Sequence, residues 1–143
     1  MPARKNSVSD LKGGSEALKS PHLGARLFHT PRIVLLTRTS LAFDNVADIE
    51  RSIEDLARAV PLRTRTGWSI IIDMRLSPTR VNPALEPAFE RLRRETHAGF
   101  SCVAVVVATP VGKMRSERLS NVSDVPVRTV ASFDEALAFF NAH

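Results

Sequence analysis

Apolar residues recur at spacings of three and four in "DNVADIERSIEDLARAV", so Val46, Ile49, Ile53, Leu56 and Val60 share one helical face. Asp44 is placed to cap that helix and Pro61 to stop it. A different rhythm holds on either side. "ARLFH" and "RIVLLTRTS" predict two strands about the turn residues Thr30 and Pro31. "GWSIIIDM" and "CVAVVVAT" are short continuous apolar runs, the pattern of strands covered on both faces, and "VPVRTV" predicts one more short strand. Between these runs Leu85, Phe89 and Leu92 mark a second amphipathic helix ending near His97 and Gly99. "GKMRSERLSNV" predicts a third helix. "SFDEALAFFNA" predicts the last, opened by a capping box in which Ser132 and Glu135 stand three apart.

Strands alternating with helices in this order predict an α/β domain. Its sheet is mostly parallel, of about five strands with an antiparallel N-terminal pair, and about four helices supply right-handed crossovers. Residues 1–24 are polar and contain Gly13-Gly14 and Ser20-Pro21, which predicts a flexible polar tail before a domain spanning 25–143.

With 143 residues the chain has room for one domain with a real core and not for two ordinary ones. The net charge of +5 raises the question of nucleic acid. Its cations are dispersed among acids, however, and there is no Tyr and little aromatic interleaving, so the basic groove with stacking rings of a nucleic-acid platform is missing. The single Cys102 lies in the apolar run "FSCVAVVVA" and is read as a small buried hydrophobe. The N-terminal stretch lacks the apolar core of a signal peptide, and no run is long enough to span a bilayer. A cytoplasmic protein is the expectation.

The chemistry-bearing stretch is "DMRLSPTRVNPALEP", where a strand passes into a helix. Asn82 and Pro83 suit helix initiation, since Asn accepts from the first amides and Pro occupies a position whose N–H is unpaired anyway. Capping does not account for Arg75 and Arg80. In a parallel sheet the loops leaving strand carboxyl ends gather on one edge, where ligands usually bind. The loop "TPVGKMR" should lie beside this one and bring Thr109, Lys113 and Arg115. Two helix amino ends and several cations then share one surface, a candidate anion or partner edge of Arg75, Ser77, Thr79, Arg80, Asn82, Thr109, Lys113 and Arg115. The competing reading is that these cations only solvate the edge and face acids such as Asp73.

Other chemistry fails on inspection. "VVVATPVGKM" has Val107 where a P-loop needs its first Gly and Met114 where it needs Ser or Thr. A response-regulator receiver needs an acidic pair after the first strand, and "RIVLLTRTS" offers none. His22, His29, His97 and His143 share no metal-ligand spacing, no catalytic constellation is apparent, and no cofactor or metal is expected. Trp68 and Phe89 are read as core.

Three short stretches carry a family resemblance: "IIDMR", a strand ending in an aspartate-arginine loop; "VNPALEPAFERLRR", an Asn-Pro helix start; and "VVVATPVGKMRSERL", with its Val-Gly step. Together with the element order from Ala25 to His143, they resemble the STAS domain of bacterial anti-sigma-factor antagonists, and a group of uncharacterised bacterial STAS-like proteins. The resemblance implies a non-enzymatic regulatory module whose partner is a protein of anti-sigma-factor or kinase type. It also implies a serine, in an Asp-Ser-x-Gly stretch at a helix start, that the partner phosphorylates. Here Asn82 stands near the aspartate, Pro83 near the serine and Leu85 near the glycine. Proline has no hydroxyl, so the usual switch cannot operate at that position. Ser77 and Thr79 are the candidate substitute phosphosites. The alternative reading is a domain that binds a small anion, such as a nucleotide or lipid head group, through Arg75, Arg80 and Lys113.

Overall fold

The computed structural model describes residues 14–78, 82–109 and 125–143. Six strands form one sheet: β1 (Ser15–Lys19), β2 (Leu23–His29), β3 (Arg32–Arg38), β4 (Ser69–Asp73), β5 (Cys102–Val106) and β6 (Val127–Val130). They lie side by side in chain order, with β2 antiparallel to its neighbours β1 and β3, and β3 through β6 parallel. Three α-helices are described: α1 (Val46–Ala59), α2 (Glu86–His97) and α3 (Phe133–Asn141).

Two expectations need correction. The sheet has six strands because Ser15–Lys19, read from sequence as tail, adds an edge strand to β2. Pairing explains it: Leu18 leans on the core and the backbone of β2 supplies the partner groups. The cap of α1 is Asn45, one residue later than expected, with its Oδ1 accepting from the Asp48 amide at 2.9 Å. The helix expected at "GKMRSERLSNV" lies outside the described residues.

Register decides which residues share a face. Val34 pairs with Ile70 and Leu36 with Ile72, while Ile70 and Ile72 pair with Val103 and Val105. These side chains therefore point the same way, and Leu56 of α1 and Val60 just past its end cover them. The alternate set, Ile33, Ile71, Cys102, Ala104, Val106 and Val130, is covered by Ala136, Leu137 and Phe139 of α3. Cys102 is a free thiol in this layer, and burial raises its pKa. α2 packs on α1 through Phe43, Ile49, Ile53, Leu85 and Leu92. Trp68 and Phe89 are partly buried against the core, as read from the sequence.

At the amino edge of the parallel strands the helices end, and one arginine ties those ends together. Arg65 donates from Nε to the Val60 carbonyl at 3.0 Å, and from Nη1 to the Glu95 and Ala98 carbonyls, each at 2.8 Å. Those carbonyls close α1 and α2, where helix dipoles place partial negative charge. Gly99 follows with φ at 82°, a left-handed conformation that lets the chain turn out of α2 toward β5.

Candidate functional site: the carboxyl edge of the sheet

β3, β4 and β5 run parallel, so the segments following Arg38, Asp73 and Val106 leave from one edge. α1 and α2 both begin there, as crossovers from those strands must. Three features of this edge stand out.

The first is the pair Asp73 and Arg75. Asp73 is the buried last residue of β4. Its Oδ1 accepts from Arg75 Nε and its Oδ2 from Arg75 Nη2, both at 3.0 Å, and Oδ1 also accepts the Arg75 amide at 3.1 Å. The guanidinium then stacks 4.5 Å above the ring of Phe133, the first residue of α3. The side-chain hydrogen bond to Asp73 raises the arginine pKa above its ordinary value. Arg75 thus fastens its own loop to the helix on the opposite face, while 44% of its side chain stays exposed.

The second is the start of α2. Asn82 Oδ1 accepts from the Ala84 amide at 3.0 Å and opens a 3-10 turn, Pro83–Leu85, that runs into the helix. The capping reading of Asn82 and Pro83 therefore holds. Ser77 is half-buried in a turn whose amide donates to the Met74 carbonyl at 3.0 Å. Thr109 is exposed beyond the end of β5. Thr79, Arg80, Lys113 and Arg115 lie outside the described residues.

The third is a group that motif reading passed over. Arg38, at the end of β3, is 6% exposed. Its Nη1 donates to the His22 carbonyl at 2.9 Å, and its guanidinium lies 4.4 Å from the Phe43 ring centroid. The imidazole of His22 stacks on the same ring at 4.3 Å, almost parallel to it. Burial lowers the arginine pKa to about 10. A signal did exist in the sequence: position 38 continues the parity of Val34 and Leu36, so an arginine there faces the core side.

Apolar side chains are also exposed on this edge. Leu41 is 47% exposed in the β3–α1 loop, Val46 41% at the start of α1, and Leu76 63% in the loop after β4. Among the described residues, no three of His, Cys, Asp and Glu come together as a metal site requires, and no helix is long and apolar enough to cross a membrane.

A solved structure shares this architecture. It is that of an uncharacterized protein from the DUF3478 family with a SpoIIAA-like fold, from Shewanella loihica PV-4. The match covers 85% of this chain and 98% of that one, with a TM-score of 0.59 and 9% sequence identity. The fold is SpoIIAA-like. That is the STAS-like fold implied by the sequence resemblance, now with an added antiparallel edge strand. No protein-family model matches the sequence, and no curated protein does.

Proposed function

We propose that this chain is a non-enzymatic regulatory module that binds a protein partner, of anti-sigma-factor or kinase type, through the carboxyl edge of its SpoIIAA-like sheet. The observation that carries the reading is the exposure of Leu41, Val46 and Leu76 on one edge, beside a fixed guanidinium at Arg75. Single exposed apolar residues are ordinary on any protein surface. Three on the segments of one edge, next to an arginine presented without much freedom, have the mix of apolar anchors and oriented charge that protein interfaces use.

Pro83 removes the usual hydroxyl from the start of α2, so a charge switch in this module falls to Ser77 or Thr79. Phosphate at either site would add negative charge to the stretch of sequence between Arg75 and Asn82.

The test has two steps. Wild-type protein on a resin captures a partner from host lysate, and the purified partner is then titrated against wild type and the Leu41→Asp, Leu76→Asp double variant by calorimetry. The expected result is at least tenfold weaker binding by the variant with unchanged thermal stability. Equal affinity, or no partner retained by wild type, overturns the reading. Intact-mass analysis of protein purified from its host tests the switch separately, and a chain that never carries phosphate under any growth condition removes that part.

A further inference from the structure

Among the described residues two arginines are almost fully buried, and their surroundings are opposite. Arg65 lies where α1 and α2 end, and three carbonyls receive its donors. The partial negative charge of two helix ends compensates it. Arg38 lies at the edge where α1 and α2 begin, so the nearby helix ends are positive and offer it nothing. Among the described residues it has no ion pair, and its hydrogen bond is a single one to the His22 carbonyl. The acids around the start of α1, Asp44 before it and Asp48 in its first turn, form no ion pair with it. Phe43 offers the guanidinium a ring face, which is a weaker partner than a carboxylate.

A buried cation without a counter-charge is a standing cost to the fold. The usual remedies are a carboxylate within the chain or a hydrophobic residue in place of the cation. Neither has been adopted here. The donors of Arg38 are also not sealed off. No buried side-chain nitrogen among the described residues lacks a partner, and only Nη1 of Arg38 is bonded within the protein. Nε and Nη2, which make no bond within the protein, are therefore not fully enclosed, although the residue as a whole is only 6% exposed. Two donors on one planar guanidinium are the arrangement that binds a pair of oxygens on a carboxylate or phosphate.

We propose that Arg38, backed by Phe43 and held by the His22 carbonyl, is the receptor for an oxyanion, a carboxylate or a phosphate group, entering at the carboxyl edge of β3. This site is separate from Arg75, whose guanidinium Asp73 already occupies on both Nε and Nη2. It does not depend on the protein-partner reading, because a small oxyanion suffices to fill it.

The experiment uses the full chain with three salts at matched ionic strength: sodium phosphate, sodium acetate and sodium chloride. The readouts are the melting temperature and the Nε–H resonance of Arg38 in a nitrogen-15 spectrum. The expected result is a saturable shift of that resonance, and a melting-temperature rise of a few degrees, with phosphate or acetate beyond the chloride control. Whichever anion does this identifies the chemistry. Arg38→Met should melt at or above the wild-type temperature without anion and lose the anion response, whereas Arg75→Ala should keep it. The proposal is overturned if neither anion exceeds chloride, or if Arg75→Ala rather than Arg38→Met abolishes the response. Should Arg38→Met not fold, the wild-type resonance titration still decides the question. Arg38→Lys then serves as the second variant, expected to bind more weakly because an ammonium lacks the paired donors.

Discussion

Asp73 and Arg75 are two residues apart and face each other through two parallel 3.0 Å hydrogen bonds, with the carboxylate buried at the end of β4 and the guanidinium on the surface. Charge-assisted bonds in this two-pronged geometry are stronger than ordinary surface ion pairs. The pair also spans the sheet, because the arginine rests on Phe133 of α3.

A double-mutant cycle measures that link. Asp73→Ala and Arg75→Ala should each lose about 1–2 kcal/mol of stability, and the double variant should lose less than the sum by about 1 kcal/mol. Urea denaturation of the four proteins gives the numbers. Strict additivity would mean the two side chains act on stability independently.

His97 predicts an acid-side loss of stability. It sits buried at the end of α2, and burial first, then Arg93, lowers its pKa from 6.5 to about 4. Above pH 6.5 neither the folded nor the unfolded chain protonates it, so its contribution is complete there. As pH falls from about 6.5 toward 4, the unfolded chain takes up a proton that the folded chain refuses, and stability drops. At 1.36 kcal/mol per unit the full effect is about 3 kcal/mol. His97→Gln should flatten the slope between pH 7 and pH 4.5 in chemical denaturation. An unchanged slope would assign it to other groups.

Arg65 should behave as a structural clamp. Arg65→Met keeps an aliphatic stem against Phe100 but removes three donors from the carbonyls of Val60, Glu95 and Ala98. The expected loss is about 2–3 kcal/mol, because those carbonyls lose their partners while the desolvation cost of the guanidinium is recovered. Arg65→Lys should restore only part of it, since one ammonium cannot reach all three acceptors. The comparison with Arg38→Met, for which no loss is expected, can be made by calorimetry on the same day and in the same buffer.

Gly99→Ala should cost about 1–2 kcal/mol. Its φ of 82° is unfavourable for any side chain, and a Cβ would stand 2.7 Å from Leu62 Cδ1 and 3.3 Å from Arg65 Cβ. Leu62 is exposed and can move aside, so the backbone term should dominate. Thermal denaturation resolves a change of this size.

The elements that could be read from sequence are those whose side chains carry a periodic signal. α1 was legible because Ile49, Ile53 and Leu56 repeat with the helix and are buried, although Val46 is exposed and Val60 falls at the cap, and β4 and β5 because both of their faces are covered. β1 was not, because an edge strand with mostly exposed side chains is held by the backbone of β2, and "SEALK" has no pattern to show it. Strand alternation implied a parallel sheet, but not that the strands would lie in chain order with α1 and α3 on opposite faces. At the edge, the capping role of Asn82 was legible from type and position, and the engagement of Arg75 by Asp73 was one of two open readings. Arg38 escaped notice because it sits in no motif. Only its parity with Val34 and Leu36 marks it, and that is visible once the strand has been placed.

α3 covers Ile33, Ile71, Ala104 and Val106, as well as seating Arg75 on Phe133. The two surfaces of the sheet therefore differ in how they are protected. Among the described elements, one is closed by α1, which connects β3 to β4, and the other by α3, which follows β6. A substitution that loosens α3, such as Leu137→Ala, would act directly on the cover of a β-branched surface, and the first symptom to look for would be self-association rather than lost binding.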